Sequence, residues 1–123
     1  MILLDTNILI EILKNNQKTL QQVSGLTPPL AVSSITAMEL IYGARNKQEV
    51  KKLERFINKF QVIHLAPNIS ILALKLISLY AKSHTLDIPD ALIAATAIQN
   101  KIKILTYNTK DFKYIPEIDL VLQ

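Results

Sequence analysis

Short apolar segments alternate with helix-forming segments along the whole chain, and this alternation limits the possible folds more than any other feature. The apolar runs at 2–4, 30–32, 61–65 and 102–106 are typical of buried strands, and 120–122 adds a short fifth. Between them, apolar spacing and helix-start signals predict helices at 7–14, 17–24, 35–44, 47–60, 68–84 and 89–100. We therefore expect one α/β domain, residues 1–123, built as an α/β/α sandwich around a mostly parallel sheet of about five strands.

Composition excludes several classes of protein. The chain has no cysteine, which removes disulfides, zinc–thiolate sites and thiol nucleophiles. No segment reaches the roughly 18 uncharged apolar residues that span a bilayer, and the first residues lack the basic start of a signal peptide. We expect a cytoplasmic protein without membrane contact. The net charge of +4 mildly favours a polyanionic partner.

The helix predicted at 68–84 is apolar around most of its circumference. Such a helix is expected to be buried on more than one side, either in the core or against a second subunit. For the next helix, Pro89 fits the first turn and Asn100 is expected to close the helix in the left-handed conformation.

A polar triplet interrupts the apolar start MILLDTNILIEIL. Asp5, Thr6 and Asn7 follow the first predicted strand directly, and an ionised Asp in apolar surroundings costs several kcal/mol unless it is compensated. Asp5 can act as the N-cap of the first helix or as a ligand of a metal ion. The two roles are compatible, because its two carboxylate oxygens can serve different partners.

Two acids lie on predicted helices. Glu39 in SSITAMELIYGA forms a capping box with Thr36 if the helix begins late, but stands inside the helix if it begins at Ser33 or Ser34. Asp90 in LDIPDALIAATA either complements the helix dipole or is a fixed ligand, while Asp87 is expected to cap the helix. Both readings stay open for each acid.

The segment TYNTKDF follows the fourth predicted strand and contains Asp111, with the oxygens of Asn108 and Thr109 nearby. An acid in a loop is usually solvated. However, the carboxyl ends of parallel strands meet at one edge of a sheet, where ligands bind. The segments that carry Asp5, Glu39 and Asp111 each follow a strand and therefore converge on this edge.

Other catalytic patterns are missing. There is no Ser-His-Asp order, phosphate-binding loop or dinucleotide fingerprint, and His64 and His84 are interpreted as structural. Phosphohydrolases of the haloacid dehalogenase type need a second Asp where this chain has Asn7. Receiver domains need a phosphoacceptor Asp at the third strand, where this chain reads VIHLAPN.

The motifs LLDTNILI, SSITAMELIYGA and IPDALIAATAIQNKIKILTYNTKDF together resemble the PIN domain, and specifically the VapC toxins of bacterial toxin–antitoxin modules. The resemblance covers essentially the whole chain, in the family's order. It implies a Mg²⁺-dependent endoribonuclease, with Mn²⁺ as an alternative, whose catalytic and metal-binding acids are Asp5, Glu39, Asp90 and a more variable fourth one. Asp111 is the candidate for that fourth position, with Asn108 as the alternative.

The resemblance also implies that the polar residues Thr6, Asn7 and Thr106 support the acids, and that Asn108 does so if it is not itself the fourth ligand. It implies an RNA substrate, a homodimer and a VapB-like antitoxin that blocks the catalytic groove. The surface at 34–60 is the expected antitoxin site, with an apolar groove beside Ile41, Tyr42 and Phe56. A catalytically silent PIN fold used as a binding or scaffold module is the alternative function.

Overall fold

Four parallel strands form the central sheet of the computed structural model, which describes residues 1–122. The strands lie in the order β3-β2-β1-β4. They are β1 (Ile2–Leu4), β2 (Leu30–Ser33), β3 (Gln61–Ile63) and β4 (Lys103–Leu105). The predicted run at 120–122 adds only an isolated parallel bridge between Leu120 and Ile104, because this segment meets β4 at a single residue. The α/β class and the parallel sheet are confirmed, with four strands where about five were expected.

Six α-helices connect the strands within residues 1–122. They are α1 (Thr6–Leu13), α2 (Gln17–Ser24), α3 (Ser34–Tyr42), α4 (Lys47–Ile57), α5 (Pro67–Tyr80) and α6 (Ile88–Asn100). A 3-10 turn, Thr109–Asp111, follows β4. The predicted helices are all present, but α4 and α5 end earlier than expected because the chain tightens into turns after Ile57 and Tyr80.

Two apolar cores lie on opposite faces of the sheet. Successive strand residues point to opposite faces, and Leu3, Ala31 and Ile104 belong to one core while their neighbours Leu4, Val32 and Leu105 belong to the other. Helices α5 and α6 cover the first core, and α1 and α4 cover the second. This is the predicted three-layer arrangement.

Helix α5 buries only one side within the chain. Ile69, Ala73 and Leu76 are in the core, whereas Ile71 and Leu74 are each 70% exposed. The apolar side chains that the sequence placed around this helix are therefore divided between a core face and an outer face. None of the helices among residues 1–122 combines the length and hydropathy needed to cross a bilayer.

The end of α6 differs from the prediction at one residue. Lys101, and not Asn100, adopts the left-handed conformation, with φ 54° and ψ 46°. Asn100 remains helical because its Nδ2 donates a hydrogen bond of 2.8 Å back to the Thr96 carbonyl. This bond occupies the side chain that would otherwise favour the left-handed turn.

Candidate functional site: four acids at the carboxyl edge of the sheet

Asp5 connects the end of β1 to the start of α1 and is only 4% exposed. Its Oδ1 accepts a hydrogen bond of 2.8 Å from the Thr6 amide, so it caps α1 as expected. Its Oδ2 accepts bonds from Thr106 Oγ1 at 2.7 Å and from Asn7 Nδ2 at 3.2 Å. Each oxygen thus serves a different partner, and the carboxylate is held at the sheet edge between β1 and β4.

Burial raises the pKa of Asp5, although the hydrogen bonds from Thr106 and Thr6 act in the opposite direction. The negative charges of Glu39 and Asp111 raise this pKa further. Two acids that are distant in sequence therefore act on Asp5 through space.

Glu39 stands in the second turn of α3. The N-cap of this helix is Ser33, whose Oγ accepts a bond of 3.1 Å from the Ile35 amide, so Thr36 and Glu39 do not form a capping box. Instead, Thr6 Oγ1 donates to Glu39 Oε1 at 2.8 Å. The side chain of Thr6, the residue directly after Asp5, thereby holds Glu39 at the turn that follows β1.

Thr36 is a supporting residue that sequence reasoning missed. It is fully buried, and its Oγ1 lies 2.9 Å from Thr6 Oγ1. Its position three residues before Glu39, on the same helix face, is the sequence signal that could have identified it. The hydroxyls of Thr6 and Thr36 together link α1 to α3.

Asp90 enters the same region from the first turn of α6. Asp87 caps this helix, as predicted, by accepting a hydrogen bond of 2.9 Å from the Asp90 amide. The half-buried Asp90 has a pKa raised to about 7, first by burial and then by the charges of Asp87, Asp5, Asp111 and Glu39. Within residues 1–122, no donor forms a hydrogen bond with the Asp90 carboxylate.

Asp111 ends the 3-10 turn after β4 and is half-buried. Its charge raises the pKa of both Asp5 and Asp90, so it lies within electrostatic reach of both. Asn108 contributes backbone contacts: its amide donates to Thr106 Oγ1 at 3.0 Å, and its carbonyl accepts from the Asp111 amide at 2.9 Å. In the described part of the chain, Asp111 couples to the other acids while the exposed Asn108 shapes the turn that carries it.

Tyr107 is a second residue that the sequence did not single out. Its amide donates to Asn7 Oδ1 at 3.2 Å, and its hydroxyl lies 2.6 Å from the Oγ1 of the buried Thr19 on α2. Asn7 in turn donates to Asp5. Tyr107 therefore holds α2 and the segment after β4 against the turn that carries Asp5.

Among residues 1–122, no cationic side chain forms an ion pair with any of the four acids. The three ion pairs among residues 1–122 are Lys14–Glu11, Arg45–Glu49 and Lys103–Asp119, and none includes Asp5, Glu39, Asp90 or Asp111.

Within the same residues, no three carboxylate or histidine side chains form a ready-made metal site. Oxygen donors alone are what Mg²⁺ prefers, and it is usually held by few carboxylates and several waters. The carboxylate oxygens of Asp5, Glu39, Asp90 and Asp111 are therefore of the chemical type that a hard divalent cation prefers.

Comparison with known proteins agrees with this architecture. Residues 2–118 match the PIN domain family. The chain is 31% identical to the tRNA(fMet)-specific endonuclease VapC of Salmonella typhimurium, over 94% of this chain and 92% of that protein.

Solved structures give the same result. A toxin–antitoxin complex from Klebsiella pneumoniae matches with a TM-score of 0.83 at 31% identity, over 99% of this chain and 97% of that one. VapBC2 from Rickettsia felis, bound to a DNA fragment from its promoter, matches with a TM-score of 0.81 at 30% identity and 98% coverage of both chains. The chain therefore belongs to the PIN-domain family and, within it, to the VapC group.

Proposed function

We propose that this chain is a Mg²⁺-dependent endoribonuclease that hydrolyses phosphodiester bonds in RNA as the toxin of a toxin–antitoxin module. One observation carries the proposal: acids from four separate segments influence one another's charge at a single sheet edge, with no cation paired to them in residues 1–122. Separate segments have no structural need to collect like charges. A divalent cation that all four acids share would explain why these negative charges lie near one another.

The four acids have different roles in this proposal. Asp5 and Asp90 hold the cation most directly, since Asp5 is fixed by hydrogen bonds and Asp90 gains most from a neutralising charge. Glu39, which Thr6 orients, contacts the cation through water or orients the attacking water. Asp111 is the fourth acid around the cation. When bound, Mg²⁺ offsets the negative charge that develops on the phosphate oxygens during hydrolysis.

Cationic side chains near this edge position the RNA backbone. Lys110 and Lys113 are exposed on either side of Asp111 and form no ion pair with any described residue. They are better placed for this role than Arg45, whose Nε is 3.2 Å from Glu49 Oε2 at the start of α4. Phosphate contacts of this kind fix orientation but carry no sequence information.

The antitoxin is proposed to bind the surface formed by α3 and α4 and the adjoining α1. Ile41 and Phe56 are partly buried against the second core, whereas Tyr42 is 93% exposed. A cavity of about 680 Å³ lies between α1 and α4, and its apolar lining includes Leu13 and Leu53. Lys14, Arg45, Lys52 and Glu49 also line it, and of the three cations only Lys52 has no ion pair among residues 1–122. This lining suits a partner segment that is apolar on one side and carries an acid on the other.

The homodimer is proposed to form through the outer face of α5. Ile71 and Leu74 are each 70% exposed there, and Leu79 is 55% exposed. Leu74 lines a common groove with Ile88 at the start of α6, which is 67% exposed, and exposed apolar surface of this kind marks protein interfaces.

Inducible expression in bacteria tests the activity. The wild type is expressed beside Asp5→Asn and Asp90→Asn, and growth and cellular RNA are followed. We expect growth arrest and RNA cleavage with the wild type only. Growth arrest by all three proteins would exclude metal-dependent cleavage as its cause. Partner binding that is independent of Mg²⁺ and unaffected by Asp5→Asn would favour a scaffold module.

A further inference from the structure

The hydroxyl of Tyr114 is buried and has no hydrogen-bond partner, and among residues 1–122 it is the single side-chain group in this condition. Buried polar groups in proteins are nearly always paired, so an exception needs an explanation. The tyrosine lies three residues after Asp111, in the segment that follows the 3-10 turn.

Aromatic contacts fix the ring of Tyr114. It stacks on His84 with ring centroids 4.0 Å apart and an interplanar angle of 16°. Tyr80 packs against it edge-on, with centroids 5.1 Å apart. Tyr80 ends α5 and His84 lies in the connection to α6, just before Asp87 and Asp90. The cluster therefore joins the segment that carries Asp111 to the segment that carries Asp90.

The electrostatic surroundings of the hydroxyl point to the candidate site. After burial, the charges of Asp111 and then Asp90 are the largest contributions that raise the pKa of Tyr114. These are the same two acids whose carboxylates accept no hydrogen bond within residues 1–122. The unpaired donor and these two acceptors therefore lie within electrostatic reach of one another.

We propose that Tyr114 is a positioning residue of this site and that its hydroxyl donates a hydrogen bond to the Asp111 carboxylate when the four acids close around a divalent cation. The inference rests on the proposed function above. In the metal-free protein the hydroxyl remains unpaired, which destabilises the fold. In the loaded protein, the bond orients Asp111 and leaves its second oxygen for the cation, as supporting residues do at other metal sites.

This role gives the hydroxyl opposite effects on stability and on metal binding. Tyr114→Phe keeps the ring on His84 and removes only the unpaired group. We expect the metal-free variant to melt at the same temperature as the wild type or higher. We expect the Mg²⁺ concentration for half-maximal thermal stabilisation to rise about 10-fold, with a similar loss of RNA cleavage. A purely structural hydroxyl would not produce this combination.

Tyr80→Phe is the matched control, because it removes a hydroxyl from the same aromatic cluster and should behave as the wild type. The double variant Asp111→Asn/Tyr114→Phe should bind Mg²⁺ no more weakly than Asp111→Asn alone, since the hydroxyl acts through Asp111. Additive losses, unchanged Mg²⁺ binding in Tyr114→Phe, or a lower melting temperature of its metal-free form would each overturn the inference. Absence of Mg²⁺ binding in the wild type would instead overturn the proposed function.

Discussion

The two halves of the candidate site are held in different ways. Asp5 and Glu39 are anchored by hydroxyl groups, with bonds of 2.7 Å from Thr106 and 2.8 Å from Thr6. The carboxylates of Asp90 and Asp111 accept no hydrogen bond from residues 1–122, and Asp90 has its pKa raised to about 7. Burial and like charge raise the pKa of both Asp5 and Asp90, but hydrogen bonds offset part of this rise at Asp5 and none of it at Asp90. Metal binding is expected to relieve mainly the second half.

The largest expected effect is a loss of RNA cleavage in both halves of the site, and the two halves should differ in the sign of the accompanying change in stability. Asp5→Asn and Asp90→Asn should each reduce RNA cleavage by at least about 100-fold, because each removes a charged group from the reacting centre. Without metal, at about pH 8, Asp5→Asn should lower the free energy of unfolding by about 1–2 kcal/mol, since an amide cannot accept all three of its hydrogen bonds. Asp90→Asn should raise it by removing a buried charge. Urea unfolding in EDTA measures both changes, and the same sign for both would contradict the comparison.

The half of the site that contains Asp5 and Glu39 can be tested by removing the Thr106 hydroxyl. Thr106→Val removes the shortest bond to Asp5 and should lower the free energy of unfolding by about 1–3 kcal/mol while also reducing cleavage. Thr96→Val is the matched control: Thr96 is equally buried, but its hydroxyl donates to the Leu92 carbonyl within α6 and to no acid among residues 1–122. We expect the control to cleave RNA at the wild-type rate. If both variants lose activity alike, the Thr106 hydroxyl has no specific role.

The last expected effect is a dependence of stability on pH. The folded Asp90 has a pKa of about 7, whereas its ordinary value is 3.8. Between these values, the folded protein holds a proton that the unfolded chain has lost, so metal-free stability should fall as pH rises through this window. Conversely, Mg²⁺ competes with that proton, and its stabilising effect should grow over the same window.

Thermal melts across this range, with EDTA or with Mg²⁺, measure the two trends. Asp90→Asn should flatten both of them. If the stability of the metal-free wild type instead rises steadily across the window, burial and neighbouring charges do not disfavour the ionised form of Asp90.

The sequence predicted the fold because it follows from local patterns, and the same patterns led to the prediction that the acids converge. Alternating strands and helices determine a parallel sheet, and acids placed after strands share one edge. The hydroxyl network was only partly predictable: Thr6, Asn7 and Thr106 were expected to support the acids, but Thr36 and Tyr107 act through contacts with residues distant in sequence. The sequence predicted the left-handed residue after α6 at Asn100, but it is Lys101. The reason is that the side chain of Asn100 bonds to the Thr96 carbonyl and so does not stabilise a turn.

The division of α5 into two faces could also not be read from the sequence. Its apolar residues nearly encircle the helix, so periodicity does not distinguish Ala73 in the core from Leu74 outside it. Tyr114 illustrates the same difficulty within the site, because nothing in the local sequence predicts that its hydroxyl is buried without a partner.

The location of a bound cation is the most direct test of the central claim. A crystal of the protein soaked with Mn²⁺ and measured for anomalous scattering would locate the ion. We expect a peak in direct contact with the Asp5 and Asp90 carboxylates, with Glu39 and Asp111 reaching it directly or through water. An ion bound elsewhere, or none at the carboxyl edge of the sheet while the four acids remain apart, would contradict the account.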